Sequence, residues 1–360
     1  MPVRVQARHQ MTADEAGASE DDDIKWLHLQ FSRHIPAIKS LPDDERKENS
    51  MNGLVEARTS ASIAFRDHGL PLRSLAEPIC DELSSRPLVM RGGRPRIFMC
   101  EPTHFAVSYS INPWMQDHLD TACAKRAGRQ WEALREILGR HTAVETIAAV
   151  PGLPDMPFTA NAGLLRGKRF VPSRFRHVQR QGEEAHFTRW FSEHGIEIHA
   201  LPRQIVFEGA GDALFDETQA VLWMGHGQRS ELAAAAGLAR VLDIDTIPLR
   251  LVDPRFYHLD TCFCPLPRGF LLWYPQAFDA DAQARVEATV ASSRRIAVDE
   301  ADALAFACNA ISLGSAIVLH RASGKLKRTL DDAGFAVIET SLDEFHKAGG
   351  SAKCLVLREA

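Results

Sequence analysis

The chain contains no apolar run of the roughly 18 residues that a membrane-spanning helix requires. The nearest, from Ala305 to Leu319, is interrupted by Asn309, Ser312 and Gly314. A positively charged start followed by an apolar segment is also missing, so no signal peptide is expected. Nor is there a basic excess: 42 Lys and Arg stand against 47 Asp and Glu, which leaves no electrostatic footprint for nucleic acid. The cysteines, at Cys80, Cys100, Cys123, Cys262, Cys264, Cys308 and Cys354, are odd in number and scattered, and do not build a disulfide framework. These absences predict a reduced, cytoplasmic protein whose partner is a small molecule rather than a membrane or a nucleic acid. Assembly into a homo-oligomer is left open.

Several chemical motifs are absent as well. No Gly-x-Gly-x-x-Gly and no phosphate loop occur, which argues against a nucleotide cofactor. Without a Gly-x-Ser-x-Gly elbow a serine hydrolase is disfavoured. His258, Cys262 and Cys264 are close in sequence, but a structural zinc needs four ligands and the usual Cys-x-x-Cys spacing is missing. A structural zinc and a nucleotide cofactor are therefore both disfavoured.

What is present is an apolar content of 45% in 360 residues, enough for one large domain or two ordinary ones. Residues 1–95 differ from the rest. They carry charge runs such as Glu20-Asp21-Asp22-Asp23 and Asp43-Asp44-Glu45-Arg46-Lys47-Glu48, and read as a polar, partly disordered extension or a small accessory module. Gly92-Gly93-Arg94-Pro95 marks the boundary of a domain over residues 96–360.

That domain alternates short strands with amphipathic helices, an α/β pattern. Strands are predicted at 96–100, 221–224, 270–274, 316–319 and 335–338. Leu119, Cys123, Trp131, Leu134 and Leu138 recur at helical spacing, and a second helix holds Phe187, Trp190 and Phe191 and stops at Gly195. Ser230 opens an Ala-rich third helix, Leu326 and Leu330 lie on a fourth ended by Gly334, and Ser341 with Glu344 has capping-box spacing. Segments 161–165, 211–215, 262–266, 309–313 and 353–357 echo one another at roughly 50 residues, the period of blades that point their strand starts at one axis.

The densest chemistry lies in residues 256–264, where an imidazole, a carboxylate and two thiols fall within a few positions. In an extended segment His258 and Asp260 would face the same way and titrate together. Cys354 follows Gly349-Gly350-Ser351-Ala352 and opens an apolar strand; it is either a reachable nucleophile or a small buried hydrophobe. His258 is a general acid and base for such a thiol, or a satisfied structural histidine. Glu208 precedes the small residues Gly209-Ala210-Gly211, which would let a cationic ligand approach the backbone, or make a tight turn capped by Asp212.

The stretch 153–163 with Asp155 and Asn161, then Phe207 to Asp212, then His258-Leu259-Asp260-Thr261, then a C-terminal Cys354 together resemble the guanidino-group-modifying enzymes of the pentein fold. That group includes arginine deiminases, amidinotransferases and dimethylarginine dimethylaminohydrolases. Pro102-Thr103-His104-Phe105, residues 111–115, 177–184 and 347–354 look most like the bacterial arginine dihydrolases. The resemblance covers residues 96–360 and implies a five-bladed α/β propeller with pseudo-fivefold repeats and no cofactor. It implies that Cys354 attacks the guanidinium carbon of arginine, that His258 moves protons, and that Glu208 and Asp260 hold the guanidinium nitrogens. Arg180 and Arg229 match positions that grip the substrate carboxylate, Asn112 lies near the amino-acid end, and Asp155 lies in the acidic stretch. Cys262 and Cys264 then become packing residues.

Two positions discriminate among these activities. Asn161 stands where deiminases carry an Asp; an amide both donates and accepts, which favours a dihydrolase that continues to ornithine, ammonia and carbon dioxide over a deiminase that stops at citrulline. Asp260 requires an N–H donor, which favours unmodified arginine over dimethylarginine. A non-catalytic propeller binder is the contrasting class, and such members lack the Cys, His and Glu set.

Overall fold

The computed structural model describes residues 96–360; the expectations for residues 1–95 and for the Gly92 to Pro95 boundary lie outside the described residues. The described chain forms five separate three-stranded sheets. Each repeats one order: a first strand, an antiparallel second strand, a helix, and a third strand parallel to the second.

Blade one contains β3 (Gly163–Arg166), β4 (Arg169–Pro172) and β5 (Glu197–Ile198), with helix α2 (Val178–Glu193) between the last two. Blade two has β6 (Ala213–Asp216), β7 (Val221–His226), α3 (Ala233–Leu242) and β8 (Asp245–Arg250). Blade three has β9 (Phe263–Leu266), β10 (Phe270–Trp273), α4 (Ala280–Thr289) and β11 (Arg295–Ala297). After the short α5 (Glu300–Leu304), blade four has β12 (Ile311–Leu313), β13 (Ala316–Leu319), α6 (Gly324–Asp332) and β14 (Ala336–Glu339).

The fifth blade joins the two ends of the described chain. Its first strand is β15 (Leu357–Arg358), which follows the short helix α7 (Asp343–His346) and pairs antiparallel with β1 (Ile97–Cys100). Helix α1 (Ala124–Gly139) then leads to β2 (Val144–Ile147), parallel to β1. The Glu359 N–H donates to Arg96 O at 3.0 Å, and the two side chains form an ion pair at 2.9 Å. The fold is the five-bladed α/β propeller, and the segments that echo one another in sequence carry the first strands of its blades.

Packing explains these elements. Strand β10, Phe270-Leu271-Leu272-Trp273, is buried throughout and so shows no polar alternation. In α1 the buried residues Ala127, Trp131, Leu134 and Leu138 form one helical stripe. Strand β8 escaped the sequence reading because it is polar and contains Pro248; as an edge strand it tolerates the missing donor.

Three local expectations fail. Helix α1 begins at Ala124, leaving Leu119 and Cys123 exposed, because Asp120 adopts φ +56° and turns the chain away from helical continuation. Ser230 does not open α3; its hydroxyl donates to Asp212 Oδ2 at 2.7 Å and accepts the Glu208 N–H at 2.9 Å. The Ser341/Glu344 capping box does not form, since the buried Glu344 carboxylate accepts the Cys123 N–H at 2.7 Å and Lys347 Nζ at 2.9 Å instead. Among the described residues no helix is long and apolar enough to cross a membrane.

Candidate active site

The site is assembled from the segments that run into each blade's first strand. Short 3-10 turns, Thr159–Ala162, Gly209–Gly211 and Leu259–Thr261, touch one another in succession around the axis. The repeat places chemically different side chains at matching positions. Glu208 and His258 precede Ala213 of β6 and Phe263 of β9 by the same interval; Asp260 and Cys354 likewise precede Phe263 and Leu357 of β15 by a shorter one. Gly209 (φ +65°) is required for this closeness, because a Cβ there would lie 2.8 Å from Ala160 O. At Gly211 a Cβ would meet Asn161 Nδ2 and sit 3.3 Å from the His258 ring. The small residues after Glu208 thus admit neighbouring side chains rather than a ligand at the backbone.

His258 Nε2 lies 2.7 Å from Glu208 Oε2, with both residues buried. The same oxygen accepts Arg229 Nη1 at 3.0 Å, and Glu208 Oε1 accepts the Arg176 N–H at 3.1 Å. Burial alone opposes a charge on Glu208. The attraction of Arg229 and His258, with Arg180 nearby, outweighs it and holds the Glu208 carboxyl well below the usual range. Glu208 is therefore ionised and orients the imidazole and one guanidinium together.

The expected His258/Asp260 pair is divided by the fold. His258 is extended (φ -122°, ψ 151°), but residues 259–261 form a 3-10 turn, so the alternation assumed from sequence does not apply. His258 turns to Glu208, while Asp260 Oδ1 lies 3.7 Å from Cys354 Sγ. Burial pushes Asp260 up to about 7, partly offset by Lys353 and by its contacts with Cys354 and Asn309. Burial, and then the Asp260 carboxylate, push the Cys354 thiol up as well. The Asp260 carboxylate thus disfavours the thiolate, and a cation bound between the two groups favours both ionised forms.

On the Cys354 side of this pair lies a narrow pocket whose lining includes Cys354, Asn112, Asp155, Asn161, Arg180 and Arg229. Asp155 accepts Tyr109 OH on Oδ2 at 2.8 Å, but its Oδ1 is buried without a partner, as is Asp260 Oδ2. Two buried carboxylate oxygens without donors beside a thiol are a strong demand for a ligand rich in N–H groups.

Arg180 donates to Glu183 twice at 2.8 Å and to Asn161 Oδ1 at 2.9 Å, and lies over the Phe175 ring at 4.4 Å. Arg229 donates to Ile111 O at 2.8 Å and lies over Tyr257 at 4.6 Å. Asn161 Nδ2 donates to Glu208 O at 3.2 Å. Asn112 brackets its loop: Oδ1 accepts the Trp114 and Met115 N–H groups, and Nδ2 donates to Ala348 O at 3.0 Å.

Sequence reasoning missed Asn309, Tyr257 and Lys353, which also lie around Cys354. The available signal for Asn309 was the repeated Asn-Ala before a blade's first strand, at Asn161-Ala162 and Asn309-Ala310. Cys262 and Cys264 sit in the apolar core, their thiols donating to Leu259 O and Ala310 O. With His258 turned to Glu208, the three do not converge, and among the described residues no group of three or more His, Cys, Asp or Glu is arranged to hold a metal ion.

A family model described as N,N dimethylarginine dimethylhydrolase, eukaryotic, matches residues 101–359. The chain belongs to the dimethylarginine dimethylaminohydrolase family. The family's N(G),N(G)-dimethylarginine dimethylaminohydrolase from Mycobacterium tuberculosis is 38% identical over 263 residues, covering 73% of this chain and 85% of that one. The bifunctional arginine dihydrolase/ornithine cyclodeaminase AgrE of Nostoc sp. PCC 7120 is 50% identical over 265 residues, covering 74% of this chain. The matched part is only 38% of that relative's length. Among solved structures, a Cys-to-Ser variant of the N-terminal domain of ArgZ, a cyanobacterial arginine dihydrolase, bound to substrate, is 49% identical, with a TM-score of 0.73 over 73% of this chain and 97% of that one. The same domain as an Asn-to-Ser variant is solved covalently bound to a reaction intermediate. This dimethylarginine dimethylaminohydrolase-family chain thus shares the propeller and the guanidino-enzyme kinship expected from its motifs.

Proposed function

We propose that the protein is an arginine dihydrolase acting through a covalent Cys354 intermediate. The observation that carries this reading is the placement of Cys354 Sγ 3.7 Å from Asp260 Oδ1, beside a pocket lined by Cys354 and Asp155, with Asp260 Oδ2 and Asp155 Oδ1 both buried and unpartnered. A guanidinium is planar, permanently charged and carries five N–H donors, so it satisfies both oxygens and favours the thiolate.

The chemistry follows from those positions. The Cys354 thiol proton passes to His258 as Sγ bonds to the guanidinium carbon; the imidazolium returns that proton to the departing nitrogen, which leaves as ammonia. His258 then takes a proton from water as it attacks the thiouronium carbon, releasing the sulfur. Glu208, ionised between His258 and Arg229, stabilises the imidazolium that forms in each step. Repetition on the ureido product, with a second water, gives ornithine, a second ammonia and carbon dioxide. Asn161 offers an amide where the ureido oxygen develops, and Arg180, Arg229 and Asn112 bind the amino-acid end. Cys354 must remain a free thiol, which suits a reducing cytoplasm.

Incubation with arginine tests the reading: two ammonia per arginine with ornithine is the expected stoichiometry. One ammonia with accumulating citrulline would sink the dihydrolase in favour of a deiminase. Similarity to the mycobacterial enzyme supports a second reading, dimethylarginine hydrolysis; dimethylamine release faster than ammonia release from arginine would select it. Asp260 argues for arginine, because a dimethylated nitrogen has no N–H for its Oδ2.

Two further outcomes are expected. Asp260 must be ionised to hold a guanidinium, and burial raises it to about 7 in the free protein. A raised carboxyl is protonated below that value, so kcat/KM should fall as pH drops through about 7, and pH–rate profiles should lose this limb in Asp260→Asn. Asn161→Asp should retain the bond from Arg180 while setting a carboxylate oxygen against Glu208 O, 3.2 Å away in the native protein. Citrulline should then accumulate, with ammonia per arginine falling toward one in an end-point assay.

A further inference from the structure

The nucleophile has a second polar partner that its motif does not include. Asn309, fully buried ahead of β12, donates through Nδ2 to Cys354 Sγ at 3.1 Å and to Asp260 O at 3.0 Å. Its Oδ1 accepts the Cys354 N–H at 3.1 Å, and its backbone carbonyl accepts the Lys353 N–H at 3.3 Å. The orientation of the amide is determined by these partners. Turned over, it would aim its NH₂ at the Cys354 N–H and its oxygen at Asp260 O, replacing attractive contacts by repulsive ones. The N–H that faces the sulfur is therefore held by three other bonds on the same residue and its neighbours.

We propose that Asn309 is a catalytic residue that stabilises the Cys354 thiolate by direct hydrogen bonding; this rests on Cys354 being the nucleophile. The two partners of the sulfur differ in sign. Asp260 Oδ1 is an acceptor, so it suits the protonated thiol and repels the thiolate. Asn309 Nδ2 is a donor and strengthens its bond when the sulfur is charged. When a guanidinium binds, Asp260 turns its acceptor oxygens to the ligand and releases the thiol proton's partner. Asn309 then remains as the protein donor on the sulfur, both before attack and again when the sulfur leaves as thiolate. Its bond to Asp260 O ties the carboxylate's turn to the same point, so the sulfur and the carboxylate keep a fixed separation.

The test reads the thiol itself, using the full chain. Iodoacetamide alkylation of Cys354, followed by peptide mass across pH, gives the ionisation midpoint without reference to turnover. Asn309→Asp keeps the acceptor for the Cys354 N–H but replaces the donor by a charge of the wrong sign; Asn309→Ala removes both. The midpoint should rise by about one to two pH units in Asn309→Ala and further in Asn309→Asp, the scale of a charge-assisted hydrogen bond. Arginine kcat should fall about 10- to 100-fold with KM changed less than about threefold, the pattern of an interaction made with the reacting atom rather than with bound substrate. Unchanged midpoints in either folded variant would overturn the proposal, as would equal midpoints in the two, which is the mark of a packing role. If one variant does not fold, the other's midpoint decides alone. Failure of the underlying reading looks different: Cys354→Ser would then turn over arginine at the native rate, and alkylation at Cys354 would leave activity intact.

Discussion

Cys354→Ala should lose arginine turnover by about 10⁴-fold or more while still folding and binding arginine, since in the proposed reaction the thiol is the group that forms and breaks the bond to carbon. The substitution removes one small buried atom from a wall of the cavity, so the expected stability change is minor. Removing the sulfur takes away one contact that helps to hold Asp260 down, but Asp260 Oδ2 retains its unmet demand for a donor. Arginine binding should therefore remain measurable by calorimetry even as turnover vanishes. Trapping with labelled arginine under acid quench should show label on the native chain and none on Cys354→Ala. Residual activity within tenfold of native would require a different nucleophile.

Glu208→Gln should be the most damaging change that keeps side-chain shape. Glu208 accepts from His258 and Arg229 on one oxygen and from the Arg176 N–H on the other. Gln retains one acceptor but carries no charge, leaving the buried Arg229 without its ion-pair partner. Loss of one member of a buried pair costs about 3–5 kcal/mol. Turnover should fall by a further factor of about 10² to 10⁴, as the imidazole loses the carboxylate that supports its charged form.

The pH dependence of that stability loss has a definite sign. The native Glu208 carboxyl sits below its unfolded range, so its stabilisation is fully present above the ordinary carboxylate range and disappears as pH falls through the folded value. The gap between native and Glu208→Gln in urea denaturation should thus be widest near neutrality and shrink below about pH 4. A gap independent of pH would mean that Glu208 contributes by shape alone.

Much of the architecture was legible because it depends on local pattern. The apolar strands at 221–224 and 316–319 and the stripe of Trp131, Leu134 and Leu138 announce their own burial, and the near-50-residue spacing of the small-residue strand starts announces repetition. Two of the failures share one cause, a polar group recruited by a distant partner. Ser230 was drawn to Asp212 and Glu208 instead of capping α3, and Glu344 was drawn to Cys123 and Lys347 instead of closing a capping box. The candidate site was legible only through family motifs, and Asn309 escaped because an Asn-Ala before a strand carries no chemical signature until a sulfur is placed 3.1 Å from it.

The segment around His258 and Asp260 shows where the division falls. The sequence by itself determined that an imidazole, a carboxylate and a distant thiol exist in that chain order, and that blades would bring strand starts together. Only the tertiary structure decided that His258 pairs with Glu208 and Asp260 with Cys354, and that Asp260 is pushed up to about 7 while Glu208 is held down. The physical reason is that a side chain's charge state depends on what surrounds it in space. Both carboxylates are fully buried and differ in having or lacking a cation in contact: Glu208 has Arg229, brought back to it by the turn after β7 of its own blade, whereas no ion pair forms on Asp260 among the described residues.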